Sequence, residues 1–135
     1  MNGYLMQEQQ WTPGEDLFLE SFSPENHYGV VFEDDGETAY FYAVEKDDEG
    51  AGLRILDALH IRESGEVSAA DGTDLKIIWS RDWLKCALVL DSFVHALFDF
   101  GNQSGYNINE FPPPNEFWTQ GDRKLTPELI QQFFS

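Results

Sequence analysis

Histidines and carboxylates are the side chains in this sequence whose types could support catalysis or metal binding. The chain has three histidines, His27, His60 and His95. None of them stands at a spacing typical of metal ligands, such as two histidines separated by three residues, and a pair of cysteines separated by two is also absent. The sequence therefore predicts no metal site.

A pocket lined by Asp57, His60, His95 and Asp99 is one interpretation of these residues. Asp99 cannot reach His95 along one strand, because four residues of extended chain span about 13 Å. Asp57 interrupts an otherwise apolar strand face, so it is the candidate partner for His95 from a neighbouring strand. In the alternative, which we favour, each polar group forms a hydrogen bond with nearby backbone groups and only stabilises the sheet.

Covalent catalysis and phosphate binding have no signature in the chain. Cys86 lies between Leu84 and Leu88, an apolar setting that raises a thiol's pKa and makes it inert. No serine occupies a G-x-S-x-G elbow, and no glycine-rich loop of the P-loop or dinucleotide-binding kind occurs. We expect no catalytic residue and no cofactor.

Negative charge is the most unusual bulk property. The chain has 25 acidic and 8 basic residues, for a net charge of −17. Nucleic acids and anionic membrane surfaces are bound through lysine and arginine, so both are excluded as partners. The same field attracts a basic protein. A simpler alternative is that the charge only confers solubility.

Length and cysteine content indicate one soluble cytoplasmic domain. The 135 residues fit a single domain around one core. The lone Cys86 cannot form an internal disulfide, residues 1–11 do not resemble a signal peptide, and no apolar run approaches the roughly 20 residues of a membrane-spanning helix.

A hairpin is predicted where residues 28–33 and 38–44 flank Asp35 and Gly36, because Asp-Gly between β-rich runs is a strong hairpin signal. With Asp35 and Gly36 as the loop, the pairs are Phe32 with Ala39 and Val30 with Phe41. The opposite face then holds Val31, Tyr40 and Tyr42, so both faces carry bulky side chains. A second turn is predicted around Gly50 and Gly52, followed by a strand over residues 53–62.

A three-stranded meander is predicted over residues 75–80, 84–90 and 93–100. Loops at residues 81–82 and 91–92 bring the apolar positions of all three strands to one side. This face comprises Leu75, Ile77, Trp79, Leu84, Cys86, Leu88, Leu90, Phe93 and Leu97.

The C-terminal part is predicted to be irregular over residues 101–125 and helical over 126–134. Thr126 is a suitable N-cap and Pro127 a favoured first helical residue. Trp118 and Phe111, with Trp11 and Trp83, either rim a binding groove or, as we favour, plug the open end of the sheet. The predicted fold is mainly β, an antiparallel meander forming a small barrel or sandwich, with its β core over about residues 16–100 and one C-terminal helix.

Several motifs in order resemble a known bacterial family. They are residues 32–42 (FEDDGETAYFY), 55–61 (ILDALHI), 79–80 (WS), 95–100 (HALFDF) and 111–113 (FPP). The chain resembles the uncharacterised family catalogued as domain of unknown function 2251, over about residues 28–118. The resemblance implies a bacterial, cytoplasmic origin, and it implies no activity.

Two functions remain open from the sequence. We favour a non-enzymatic interaction protein, of the immunity or regulatory type, whose acidic loops bind a basic partner. The alternative is a small-molecule-binding protein or enzyme using the pocket of Asp57, His60, His95 and Asp99. An unpaired edge strand would permit a homodimer.

Overall fold

Two antiparallel sheets make up most of the protein. The computed structural model describes residues 3–12, 14–47, 52–63, 72–113, 118 and 123–133. These residues form nine strands and one helix: β1 Gly3–Trp11, β2 Leu17–Phe22, β3 Tyr28–Asp34, β4 Thr38–Lys46, β5 Leu53–Glu63, β6 Thr73–Ser80, β7 Lys85–Leu90, β8 Phe93–Asp99, β9 Ser104–Asn107 and α1 Pro127–Phe133. One sheet has the order β1-β6-β7-β8-β9 and the other β2-β3-β4-β5. The predicted mainly β fold with a C-terminal helix is confirmed.

The hydrophobic core lies between the two sheets. Alternation along the strands turns Phe32 and Phe41 of the four-stranded sheet inward, toward Trp79 and Phe98 of the five-stranded sheet. Phe41 stacks on Phe98 with ring centroids 5.2 Å apart. Over the described residues the sheets stay separate and pack face to face, so the sandwich is the predicted alternative that the chain adopts.

The helix covers the outer face of the five-stranded sheet. Phe133 is buried there against Ile78, Ala87 and Leu97. The Thr126 hydroxyl accepts a hydrogen bond from the backbone N–H of Leu129 at 3.2 Å, which confirms the predicted N-cap.

The β3–β4 hairpin forms with a register two residues away from the predicted one. Phe32 pairs with Phe41 rather than with Ala39, and the loop residues are Gly36 and Glu37. The backbone N–H of Asp35 donates to the Thr38 carbonyl at 3.2 Å. Gly36 takes the left-handed conformation, with φ of 96°, at the first loop position, which only glycine adopts readily. A two-residue shift leaves every side chain on its predicted face.

The β6–β7 turn is longer than predicted, so Trp79 pairs with Cys86 rather than Leu84. Asp82 stabilises the wider turn by accepting hydrogen bonds from the Ser80 hydroxyl at 2.6 Å and the Leu84 backbone N–H at 3.0 Å. These two bonds, the hydroxyl first, lower the pKa of Asp82. The predicted inward face is again preserved for the strand residues of this pair, whereas Leu84, predicted to belong to that face, lies in the turn and outside the core.

Because β8 contains a bulge, the predicted apolar face is wrong at two positions, Phe93 and Leu97. Leu90 pairs with Phe93 as predicted, but the register shifts before Leu88 pairs with Ala96. His95 is the extra residue, and the strand beyond it turns over. Leu97 therefore packs toward the helix rather than into the core, and Phe93 is 71% exposed.

Two strands were not predicted at all. β1 precedes the predicted core, and β9 lies in the segment predicted to be irregular. In β1 the register shifts between Leu5 and Gln7, and Gln7 and Gln9 are the residues that pair with the core residues Ile77 and Leu75. Because these positions are polar, β1 lacks the apolar alternation from which a strand is predicted. The predicted β5 strand is confirmed, whereas Gly50 of the predicted second turn lies outside the described residues.

No helix in the described ranges is long and apolar enough to cross a membrane.

Candidate functional site

The four polar residues predicted as a possible pocket have separate structural partners. The Asp99 carboxylate accepts hydrogen bonds from the backbone and side-chain nitrogens of Asn102 at 3.1 and 2.8 Å, so it caps the turn after β8. His95 Nδ1 donates to the Phe93 carbonyl at 3.0 Å. Both sets of contacts are local, within β8 and the turn that follows it.

Asp57 is held by an arginine that the sequence analysis did not consider. The two guanidinium nitrogens of Arg123 contact the two carboxylate oxygens of Asp57 at 2.7 and 2.8 Å, and the side chains are 1% and 2% exposed. Arg123 also donates to the carbonyls of Gly105 and Pro112 at 3.3 and 2.6 Å. The Asp57 carboxylate is thus committed to a different partner from the predicted His95. The pair ties β5 to β9 and to the C-terminal segment.

His60 belongs to a hydrogen-bond network that anchors the loop after β9. The Asn107 side-chain amide donates to the carbonyls of His60 and Phe111, both at 2.8 Å. The Asn109 amide nitrogen lies 2.7 Å from His60 Nδ1. The His60 ring meets the Phe111 ring edge to face, with centroids 5.7 Å apart. His60 therefore helps to fix Phe111, whose ring is half exposed, at the edge of the four-stranded sheet.

Four aromatic residues were predicted either to rim a binding groove or to plug the open end of the sheet, and two of them fill the interior. Trp11 and Trp118 are buried, and Trp118 packs against Phe98 and Phe100 with centroids 5.9 and 5.8 Å apart. Trp118 also forms part of the wall of a cleft of about 480 Å³ beside Tyr28 and Arg54. These two tryptophans plug the sandwich, as predicted, whereas Phe111 stays exposed.

Cys86 is fully buried in the core, and burial raises the pKa of its thiol well above the ordinary value. The predicted inert thiol agrees with this environment.

Acidic side chains gather at one end of the sandwich. At this end β1, β3 and β7 finish and β2, β4 and β6 begin. Asp34, which is buried, joins two of the loops there by accepting hydrogen bonds from Trp11 Nε1 at 2.9 Å and the Gly14 backbone N–H at 2.8 Å. We call the surrounding residues the acidic end: Glu15, Asp16, Asp35, Glu37, Asp74 and Asp91.

Hydrogen bonds keep part of the acidic end ionised. The Asp35 carboxylate accepts hydrogen bonds from the backbone N–H groups of Thr38 and Glu37, both at 2.9 Å. These bonds, that from Thr38 first, lower the pKa of Asp35 from its ordinary value of 3.8. Because hydrogen bonds to the charged form favour it, this carboxylate keeps its charge at a lower pH than an isolated aspartate.

Positive charge lies mainly elsewhere. Among the cations whose side chains the structure describes, Lys46, Arg54, Arg81 and Lys85 lie at or beside the loops of the opposite end. Lys76, which is nearest the acidic end, lies 3.6 Å from Asp74 and from Glu8. Carboxylates lie at the opposite end too, and Arg54 pairs there with Glu45. The charge of the described surface is therefore polarised in the sense that the opposite end mixes both signs, whereas the acidic end is almost purely negative.

The outer face of the four-stranded sheet is apolar and aromatic. Alternation places it opposite the core-facing residues Phe32 and Phe41. The rings of Tyr42, Tyr40, His60 and Phe111 form a row in which successive centroids are 5.8, 5.4 and 5.7 Å apart. We call this surface the aromatic face; its apolar and aromatic members are Phe18, Phe22, Val31, Tyr40, Tyr42, Val44, Leu53, Ile55 and Phe111.

One signal for the aromatic face was present in the sequence. The predicted hairpin put Val31, Tyr40 and Tyr42 on the face opposite the core, and this assignment is confirmed. By contrast, nothing in the sequence pointed to Arg123. Among the described residues no group of three or more histidine, cysteine, aspartate or glutamate side chains is arranged to hold a metal ion.

Comparison with known proteins gives family membership without an activity. Residues 11–134 match a family described as an uncharacterised protein conserved in bacteria. A relative from Haemophilus influenzae, itself described as an uncharacterised protein, is 36% identical over 110 residues, which cover 79% of this chain and 66% of the relative. The match thus spans slightly less than two thirds of the relative's length. No solved structure matches the chain.

Proposed function

This chain belongs to the bacterial family catalogued as domain of unknown function 2251, and we propose that it is a non-enzymatic interaction protein of the cytoplasm that binds a basic protein partner at its acidic end. The polarised surface charge carries this proposal. A net charge of −17 that served only solubility could be spread evenly. Here the described carboxylates of six residues gather around loops from both sheets with only Lys76 near them, whereas at the other end the carboxylates are mixed with four of the described cations.

The arrangement of the acidic end suits recognition of a folded or extended basic surface. Asp34 holds the β1–β2 loop against the β3–β4 turn through Trp11 and Gly14, so carboxylates from separate loops are presented in a fixed geometry. Fixed charges of one sign speed the encounter with an oppositely charged partner and lose their effect as salt screens them. No cleft or cofactor is required for such binding.

Neutralising three carboxylates of the acidic end should weaken binding of a basic probe about tenfold. The variant is Glu15→Gln, Asp16→Asn and Glu37→Gln, and each lost charge is worth about 0.5 kcal/mol at an exposed site. The probe is a fluorescent peptide of alternating arginine and serine, and the measurement is anisotropy at low salt. A matched variant with the same net charge, Glu25→Gln, Glu110→Gln and Glu128→Gln, should lose less than about twofold.

Equal losses in the two triple variants would contradict the proposal, because they would show that binding depends on net charge alone. A second measurement uses the full chain as bait in a bacterial lysate at low and high salt. We expect a partner that is retained at low salt, released at high salt and absent with the acidic-end variant. Retention that ignores salt would also contradict the electrostatic proposal.

A further inference from the structure

We propose that the aromatic face is the docking surface for the basic partner, and that the segment bound there carries arginine or lysine alternating with apolar residues. This inference rests on the proposed function and adds the place and the chemistry of recognition. An acidic end alone selects for charge, whereas the aromatic face can select a sequence.

The first argument is the exposed apolar surface itself. An antiparallel sheet that packs on one side commonly presents polar residues on the other. The five-stranded sheet has an apolar outer face, and the helix covers it. The four-stranded sheet also has an apolar outer face, yet Ile55 is 63%, Phe18 56% and Phe111 49% exposed. Exposed apolar groups gathered on one face mark interaction surfaces, and aromatic residues are enriched at such surfaces.

The second argument is the charge around the rings. Glu20 and Glu33 lie on the outer side of the same sheet, paired across the strands with Val31 and Tyr40. Burial raises the pKa of Tyr42, and the negative charges of Glu33 and Asp35 add to the effect. The aromatic rings are therefore close to carboxylates, and the face continues into the acidic end at the β3–β4 turn. This combination complements a segment that is both cationic and apolar.

The third argument is that the chain itself places a cation on a ring of the aromatic face, as we propose for the partner. The ammonium group of Lys46 lies 4.3 Å from the centroid of the Phe22 ring, on the aromatic face. A cation within about 6 Å of an aromatic centroid is attracted by the negative face of the ring. Tyr40 and Tyr42 are a stacked pair beside Glu33, so a partner's arginine can contact a ring and a carboxylate at once.

A second copy of this chain is a poorer occupant than a basic partner. Each copy carries a net charge of −17, and two aromatic faces packed together would also bring Glu20 and Glu33 of both copies into one interface. Like charges that face one another across an interface cost several kcal/mol. Charge complementarity therefore favours a cationic partner.

The test compares two peptides of equal length and charge, one alternating arginine with leucine and the other alternating arginine with serine. The double variant Tyr40→Leu and Tyr42→Leu keeps apolar side chains but removes the rings. We expect it to weaken binding of the arginine–leucine peptide about 5- to 30-fold. The matched control, Tyr4→Leu and Tyr106→Leu, removes two tyrosine rings of the five-stranded sheet that lie away from both the aromatic face and the acidic end, and it should leave affinity unchanged.

The outcomes separate this inference from the proposed function. If wild-type protein binds both peptides equally, or if the ring-deficient variant binds like wild type, the aromatic face is not the docking surface. In that case a loss in the acidic-end variant alone would still support the proposed function. If neither set of substitutions weakens binding, both proposals fail. A stable dimer in sedimentation that the Tyr40 and Tyr42 substitutions dissociate would instead assign the face to a second copy.

A measurement on the wild-type protein covers the case in which the double variant does not fold. On titration with the arginine–leucine peptide, the ring resonances of Tyr40 and Tyr42 should shift in NMR spectra, whereas those of Tyr4 should not. Shifts confined to residues outside the aromatic face would overturn the inference.

Discussion

Replacing Arg123 with methionine should destabilise the protein by about 3–5 kcal/mol, measured by urea unfolding. The substitution leaves the Asp57 carboxylate, which is 2% exposed, without its bidentate partner. It also removes the hydrogen bonds to the carbonyls of Gly105 and Pro112. Breaking one side of a buried ion pair is costly because an uncompensated charge stays in the interior.

Two controls test whether the loss comes from the buried charge. Lys124→Met removes a neighbouring exposed cation and should change the free energy of unfolding by less than about 0.5 kcal/mol. Arg123→Met combined with Asp57→Leu should recover at least half of the loss, because both charges are then absent. A single Arg123→Met variant as stable as Lys124→Met would show that the pair does not hold the sandwich edge together.

Strand faces could be predicted from the sequence although the registers could not. The β3–β4 and β6–β7 pairings each differ from prediction by two residues. The faces survived because side chains alternate with a period of two. The turns differed because Asp35 and Asp82 bind the backbone of their own loops, and propensity alone does not show which carboxylate will do so.

Bulges and contacts between residues far apart in the chain could not be predicted from the sequence pattern. A single extra residue, His95, turned Leu97 away from the core, and no composition signal marks such an insertion. The pair of Asp57 and Arg123 joins positions 66 residues apart in the chain, so its existence depends on the three-dimensional path. By contrast, the position of Tyr40 and Tyr42 on the face opposite the core could be predicted from the sequence, because it depends only on the alternation of side chains along a strand.

The aromatic face and the acidic end meet at the β3–β4 turn, so the geometry of that turn affects both proposals. Asp34 accepts hydrogen bonds from the backbone N–H of Gly36 at 2.9 Å, from Trp11 Nε1 at 2.9 Å and from the Gly14 backbone N–H at 2.8 Å. One buried carboxylate thus joins the turn, the end of β1 and the β1–β2 loop. If it were lost, the carboxylates of the acidic end would no longer have a common support.

The isosteric substitution Asp34→Asn should destabilise the protein by about 2–3 kcal/mol, because hydrogen bonds to a charged acceptor are each worth about 1.5–3 kcal/mol and an amide nitrogen would face donors. Urea unfolding measures the loss. Asp16→Asn, at an exposed position of the same end, is the matched control and should cost less than about 0.5 kcal/mol. Under conditions where Asp34→Asn is still folded, it should also weaken binding of the arginine–serine peptide more than Asp16→Asn does, although each removes one charge. Equal binding by the two variants would mean that the loops need no fixed geometry to attract a basic partner.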